Sequence, residues 1–165
     1  MAIVFKNVRG REVLEFSGVR IVHRNFRGEQ KEFNRAGARG FSIVLNQEEA
    51  EELIARGYNV RVRPARENPD ENFSFLPVTV NYANLPPRIY RVTGEKMTLL
   101  KEATVGVLDT SDIINVDLTV NARHWDINGK QGIKAYVNEM YVEVEESVFA
   151  KKYADRELIV DVIEH

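Results

Sequence analysis

Two stretches late in the chain alternate apolar and polar residues on either side of an Asn-Gly dipeptide, and together they dictate a long β-hairpin. Val116-Asp117-Leu118-Thr119-Val120 alternates, and Ile133 to Val144 alternates again through Ala135, Val137, Tyr141 and Val142, with one slip near Met140. Asn128-Gly129 suits the left-handed backbone of a two-residue turn between them. The earlier chain repeats the β signal in shorter pieces. Val4 to Phe16 holds two runs around Val8-Arg9-Gly10-Arg11, and Val19 to His23, Phe41 to Leu45, Tyr58 to Val62 and Arg88 to Val92 each read as a strand. Phe73 to Tyr82 alternates too, but Pro77 inside it predicts an edge strand or a bulge.

Helices are few. Asn46 can cap a helix whose Glu49 sits at the reciprocal position of a capping box, Leu53 and Ile54 supply the buried stripe, and Gly57 follows as the terminating residue, so a helix is expected over about 47 to 56. A second short helix is expected around Val148 to Ala154, and Lys101 to Ile114 is ambiguous, with a short helix around Glu102 to Leu108 as one reading. Arg24 to Arg39 and Pro64 to Asn72 show neither period and read as polar loops, the first of them mobile or a long hairpin tip. Leu158 to Ile163 reads as a final strand or a docking segment. The fold class is therefore mainly β with one or two short helices, and 165 residues suit a single domain.

Composition removes whole classes of chemistry. With no cysteine there are no disulfides, no Cys-ligated zinc or iron–sulfur centres and no thiol nucleophile. No run approaches the roughly 18 apolar residues of a membrane span, and the start MAIVFKNVRGR lacks the apolar stretch of a secretory signal, so a cytoplasmic location is expected. The chain holds no GxxxxGK[ST], GxSxG or HExxH motif. Asp109, Asp112 and Asp117 form the best carboxylate cluster, and three carboxylates could hold Mg²⁺ in a nuclease. Asp109-Thr110-Ser111-Asp112 is more typical of turns and helix caps. His23 and His124 have no obvious catalytic partner. No enzyme activity, cofactor or metal is expected.

Net charge is only −2, but its distribution is uneven. Residues 1–45 carry +5, residues 46–100 carry −1 and residues 101–165 carry −6. Within the basic part, cations interleave with aromatic rings: His23-Arg24-Asn25-Phe26-Arg27-Gly28, Phe33-Asn34-Arg35 and Arg39-Gly40-Phe41, echoed by Arg88-Ile89-Tyr90-Arg91 and Arg123-His124-Trp125. Single-stranded nucleic acid calls for this combination, because guanidinium groups neutralise phosphates while ring faces stack on unpaired bases without reading them. Phe41 shares strand parity with Ile43 and Leu45 and is expected in the core, whereas Phe26, in a glycine-containing loop, is a stacking candidate. Trp125, near the hairpin tip, suits core or binding equally. Arg61 and Arg63 share one strand face and can follow adjacent phosphates, as can Lys130 and Lys134 beside the hairpin turn.

The stretches Gly18-Val19-Arg20-Ile21, Arg24 to Gly28, Phe33 to Phe41 and Trp125 to Tyr136 resemble small proteins of tailed bacteriophages and related mobile elements, some of them single-stranded DNA-binding proteins of OB type. The likeness covers about residues 18 to 153. It implies an OB-like five-stranded barrel with additional strands and loop insertions, a core over about 18–145, and a short helix with an acidic C-terminal segment over about 146–165. It also implies DNA across the barrel face and loops, with the Trp125 hairpin as one arm.

The leading expectation is a non-enzymatic single-stranded DNA-binding protein of low sequence preference, serving phage-type replication or recombination in the host cytoplasm. Phosphate contacts are expected from Arg24, Arg27, Arg35, Arg39, Arg61, Arg63, Arg123, Lys130 and Lys134, and stacking from Phe26, Tyr90, Trp125 and, more weakly, Tyr136. Replication or recombination proteins could meet the acidic C-terminal segment, and a homo-oligomer is allowed. The rival reading is a phage inhibitor or DNA mimic that presents carboxylates of residues 101–165 to a host enzyme.

Overall fold

The computed structural model describes residues 3–32, 34–64, 73–83 and 85–161. The order of elements is β1 (Ile3–Val8), β2 (Arg11–Phe16), β3 (Ile21–Asn25), β4 (Arg39–Leu45), α1 (Gln47–Ala55), β5 (Arg61–Arg63), β6 (Phe73–Val80), β7 (Arg88–Thr93), β8 (Lys96–Leu100), a 3-10 turn (Val105–Asp109), β9 (Ile113–Ile127), β10 (Lys130–Val144) and α2 (Val148–Lys152). The long hairpin is β9 and β10, joined through Asn128 at φ 53° and Gly129 at φ 80°, as a type I′ turn requires. Its register shifts between Val137 and Glu139, so the extra residue is Asn138, next to the slip read near Met140.

One ladder runs β1-β2-β9-β10-β6-β4-β3, with β5, β7 and β8 attached at its sides. The chain from β2 into β3 behaves as one bent strand. Phe16 pairs with Leu118 of β9, the Val19 amide donates to the Val116 carbonyl at 3.0 Å, and one residue later the Arg20 carbonyl accepts the Val44 amide at 2.9 Å. That handover from β9 to β4 closes a ring of five members: the β2–β3 strand, β4, β6, β10 and β9. A single parallel contact inside the ring, β10 with β6, makes the topology OB-like.

The core follows from alternation. Phe41, Ile43 and Leu45 on β4, Leu76, Val78 and Val80 on β6, and Val116, Leu118 and Val120 on β9 point inward and are buried. The capping box of α1 is present in full, with the Asn46 side chain accepting from the Glu49 amide and Glu49 accepting from the Asn46 amide. Leu53 of α1 is fully buried, and Tyr58 beyond the helix donates its hydroxyl to Glu12 on β2 at 2.8 Å.

Three expectations need correction. Pro77 does not mark an edge, because β6 pairs with β4 over residues 74–80 and with other strands on its far side. On the other side β5 pairs with residues 73–75 and β10 with residues 78–79, so the proline stands in the interval between them and its missing N–H forfeits no bond on that side. The strand read over Tyr58 to Val62 is displaced to Arg61–Arg63, with Tyr58 in an isolated bridge to Ile133. The terminal aliphatic run neither pairs nor docks over its described residues: Leu158 is 88% exposed, and Ile159 and Val160 are exposed too. The Pro64 to Asn72 loop beyond Pro64, Phe33, and Val162 to His165 lie outside the described residues. Among the described residues no helix is long and apolar enough to cross a membrane.

Candidate nucleic-acid interface

Strand alternation that sends Leu76, Val78 and Val80 inward sends Phe73, Phe75, Pro77 and Thr79 to the opposite face of β6, where all four are partly exposed. Register then fixes what surrounds them. Arg61 stands opposite Phe75 and Arg63 opposite Phe73, so both arginines lie on the aromatic face. Across the parallel junction Thr79 adjoins Tyr136 of β10. Lys134, two residues earlier on the same face, stands opposite Arg123 of β9. From β3 comes His23, whose ring meets that of Phe75 edge-on at 4.8 Å between centroids. His23 holds φ 54° inside a bulge between Val22 and Asn25, an uncommon conformation for a residue with a Cβ.

The hairpin continues this face toward its tip. Trp125 stands opposite Gly132, where a Cβ would come within 2.5 Å of the indole, so the glycine is what lets the ring lie across the strand. Trp125 as a whole remains 37% exposed. Lys130 follows at the turn, opposite Ile127. Arg123 and Lys134 both approach the Tyr136 ring, at 5.2 Å and 5.4 Å from its centroid, so two like charges flank one aromatic ring. Arg35, His23, Pro77 and Lys134 line a cleft of about 530 Å³ between the β3–β4 loop and β6. Among the described residues none of Arg35, Arg61, Arg63, Arg123, Lys130 and Lys134 has an ion-pair partner. Cations that lack an ion-pair partner favour an incoming polyanion.

The other expected residues are engaged elsewhere. Phe26 is 0% exposed and stacks on Phe41 at 5.3 Å in the core, so it has no face to offer a base. Arg24 donates to the carbonyls of Leu108 and Ser111, both at 2.8 Å. Arg27 lies against Gly106 and pairs with Glu29 at 3.7 Å. Arg39 donates through Nε to the Phe26 carbonyl at 3.0 Å and pairs with Glu102 at 3.3 Å, leaving its side chain 19% exposed. These three arginines, with the Asp109 carboxylate accepting the amides of Phe26 and Arg27, clamp the β3–β4 loop onto the 3-10 turn. Of the two readings of this stretch, a mobile loop or a long hairpin tip, the second holds: it joins the antiparallel strands β3 and β4, and Asn34 cross-links it by donating to the carbonyls of Glu29, Arg35 and Ala38.

Tyr90 is likewise apart from the face. It stacks on Tyr141 at 4.9 Å, at the end of β10 where Glu139 lies. Tyr141 donates its hydroxyl to Glu139, and that bond above all keeps the phenol protonated beyond its usual range.

Four carboxylates of the alternative readings are engaged within the fold. Asp117 accepts the Gly18 amide at 2.7 Å, Glu102 and Glu139 pair with Arg39 and Arg88, and Asp109 holds backbone amides. Among the described residues no group of three His, Asp or Glu side chains is placed to hold a metal ion. The aromatic residues that sequence reading missed are Phe73 and Phe75. Their signal was parity: two phenylalanines fall on the face opposite Leu76, Val78 and Val80.

A family model described as "Putative phage ssDNA-binding domain" matches residues 4–164. Among solved structures, the single-stranded DNA-binding protein from bacteriophage Enc34 in complex with ssDNA aligns at a TM-score of 0.51 and 9% identity, over 86% of this chain and 94% of that one. The Enc34 protein in another structure gives 0.49 at 11% identity over 94% and 98%, and its C-terminal truncation gives 0.49 at 10% over 88% and 96%. At 9% identity the alignment above 0.5 speaks to the fold. No curated protein matches the sequence.

Proposed function

This chain belongs to the phage ssDNA-binding domain family, matched from residue 4 to residue 164, and on that premise we propose that it is a non-enzymatic single-stranded DNA-binding protein of low sequence preference, acting in phage replication or recombination in the host cytoplasm. The observation that supports this reading best is the outer face of β5, β6, β10 and β9, where cations without an ion-pair partner among the described residues and partly exposed rings occupy neighbouring register positions. Arg61, Arg63, Arg123, Lys130 and Lys134 neutralise phosphates along that face, with Arg35 reaching in from the β3–β4 loop. Phe73, Phe75, Tyr136 and Trp125 present rings to unpaired bases. Stacking accepts any base and phosphates carry no sequence, so affinity arises without readout. Replication or recombination proteins would meet the exposed segment Leu158 to Val160 and the acidic residues around it.

Trp125 is the sole tryptophan and lies on the proposed path, so its fluorescence reports binding directly. Titration with an oligodeoxynucleotide at several salt concentrations should quench it, with log K falling against log[salt] at a slope of roughly −4 if all six cations neutralise phosphates. Affinity indifferent to salt would contradict the mechanism.

A further inference from the structure

Next to Tyr136 the outer face opens into a second cleft of about 330 Å³, between the start of β2, the chain beyond β6 and the β9–β10 hairpin. Arg11, Asn81, Leu85, Asn121, Arg123 and Tyr136 line it. Asn121 is the cross-strand partner of Tyr136, so its amide stands beside the ring on the same face. Asn81 uses its side-chain oxygen to accept the Ala83 amide at 2.8 Å, which fixes the side chain and leaves its NH₂ to donate. The cleft thus combines a ring, two side-chain amides and two guanidinium groups.

We infer that this cleft takes one nucleobase of the bound strand, laid against Tyr136, with its hydrogen-bonding edge read by the amides of Asn121 and Asn81 and its flanking phosphates held by Arg11 and Arg123. The inference rests on the DNA-binding reading and refines it: along most of the face bases are only stacked, and at this one position an edge is read. An amide offers a donor and an acceptor in fixed geometry, the arrangement by which side chains tell one base edge from another. An unpaired base exposes that edge, and a duplex does not.

The test compares oligo(dT), oligo(dC) and oligo(dA) of one length on the full chain by Trp125 fluorescence, then repeats the series with Asn121→Ala and with Asn81→Ala. The wild-type protein should rank the three homopolymers, and each variant should lose roughly two- to tenfold on the preferred one only, the worth of one hydrogen bond. Equal wild-type affinities would overturn the inference, as would a ranking that survives both substitutions, since stacking alone would then produce it. Failure to bind any homopolymer would instead remove the DNA-binding reading beneath it. Circular dichroism of both variants separates lost recognition from lost fold.

Discussion

Phe26 and Phe75 are the same side chain under opposite instructions. Phe26 is sealed against Phe41, so Phe26→Ala should cost about 3–5 kcal/mol in a denaturant melt. Phe75 touches His23 and Phe73 on an open face, so Phe75→Ala should cost less than about 1.5 kcal/mol of stability. The same substitution should weaken oligonucleotide binding by about 1–3 kcal/mol. Reversal of the two outcomes in paired melts and titrations would refute the assignment. Sequence reading chose Phe26 because Arg24 and Arg27 are its neighbours in the chain. What Arg24 and the backbone of Phe26 actually meet, at Leu108, Asp109 and Ser111, is more than 80 positions away, and no local pattern encodes a partner at that separation. The parity of Phe73 and Phe75, by contrast, was visible in the bare string.

At the scale of elements, the signals that proved reliable were those whose physics is local. The Asn128-Gly129 turn needs two residues at positive φ, and the Asn46–Glu49 capping box needs only side chains three apart, so both are legible without knowing the fold. Asn46→Ala should cost about 1 kcal/mol by thermal melt, and no loss would show the cap to be idle. The Pro77 expectation failed, as did that of a terminal strand over the described residues of Leu158 to Ile163, because pairing on either side of a strand is decided by distant segments. Gly132 links element to site. Gly132→Ala places a methyl group where the Trp125 ring now lies, so the indole must shift, its emission should move and oligonucleotide affinity should fall. Unchanged emission and affinity would place Trp125 outside the path.

Over the whole molecule, the uneven charge was legible but its meaning was not. The early segment carries +5, yet Arg24, Arg27 and Arg39 are engaged in holding a loop, and the face that gathers cations draws Arg61, Arg63, Arg123, Lys130 and Lys134 from later segments brought together by barrel closure. Closure also half-buries Tyr82, whose buried hydroxyl has no hydrogen-bond partner among the described residues and is pushed by burial from 10 up to about 12. The unfolded chain ionises first, so the stability tied to this neutral phenol is intact below pH 10 and is lost as pH rises toward 12. Tyr82→Phe should flatten the decline in melting temperature between about pH 10 and 12, and an undiminished decline would assign it to other groups.

The central claim concerns where a DNA strand lies. Photo-cross-linking of an oligonucleotide carrying 5-iododeoxyuridine to the full chain, followed by peptide mapping, addresses that location without a substitution. Adducts at Phe73, Phe75, Tyr136 and Trp125 are the predicted outcome. Adducts confined to Tyr90, Tyr141 or the C-terminal segment, with that face unmarked, would contradict it.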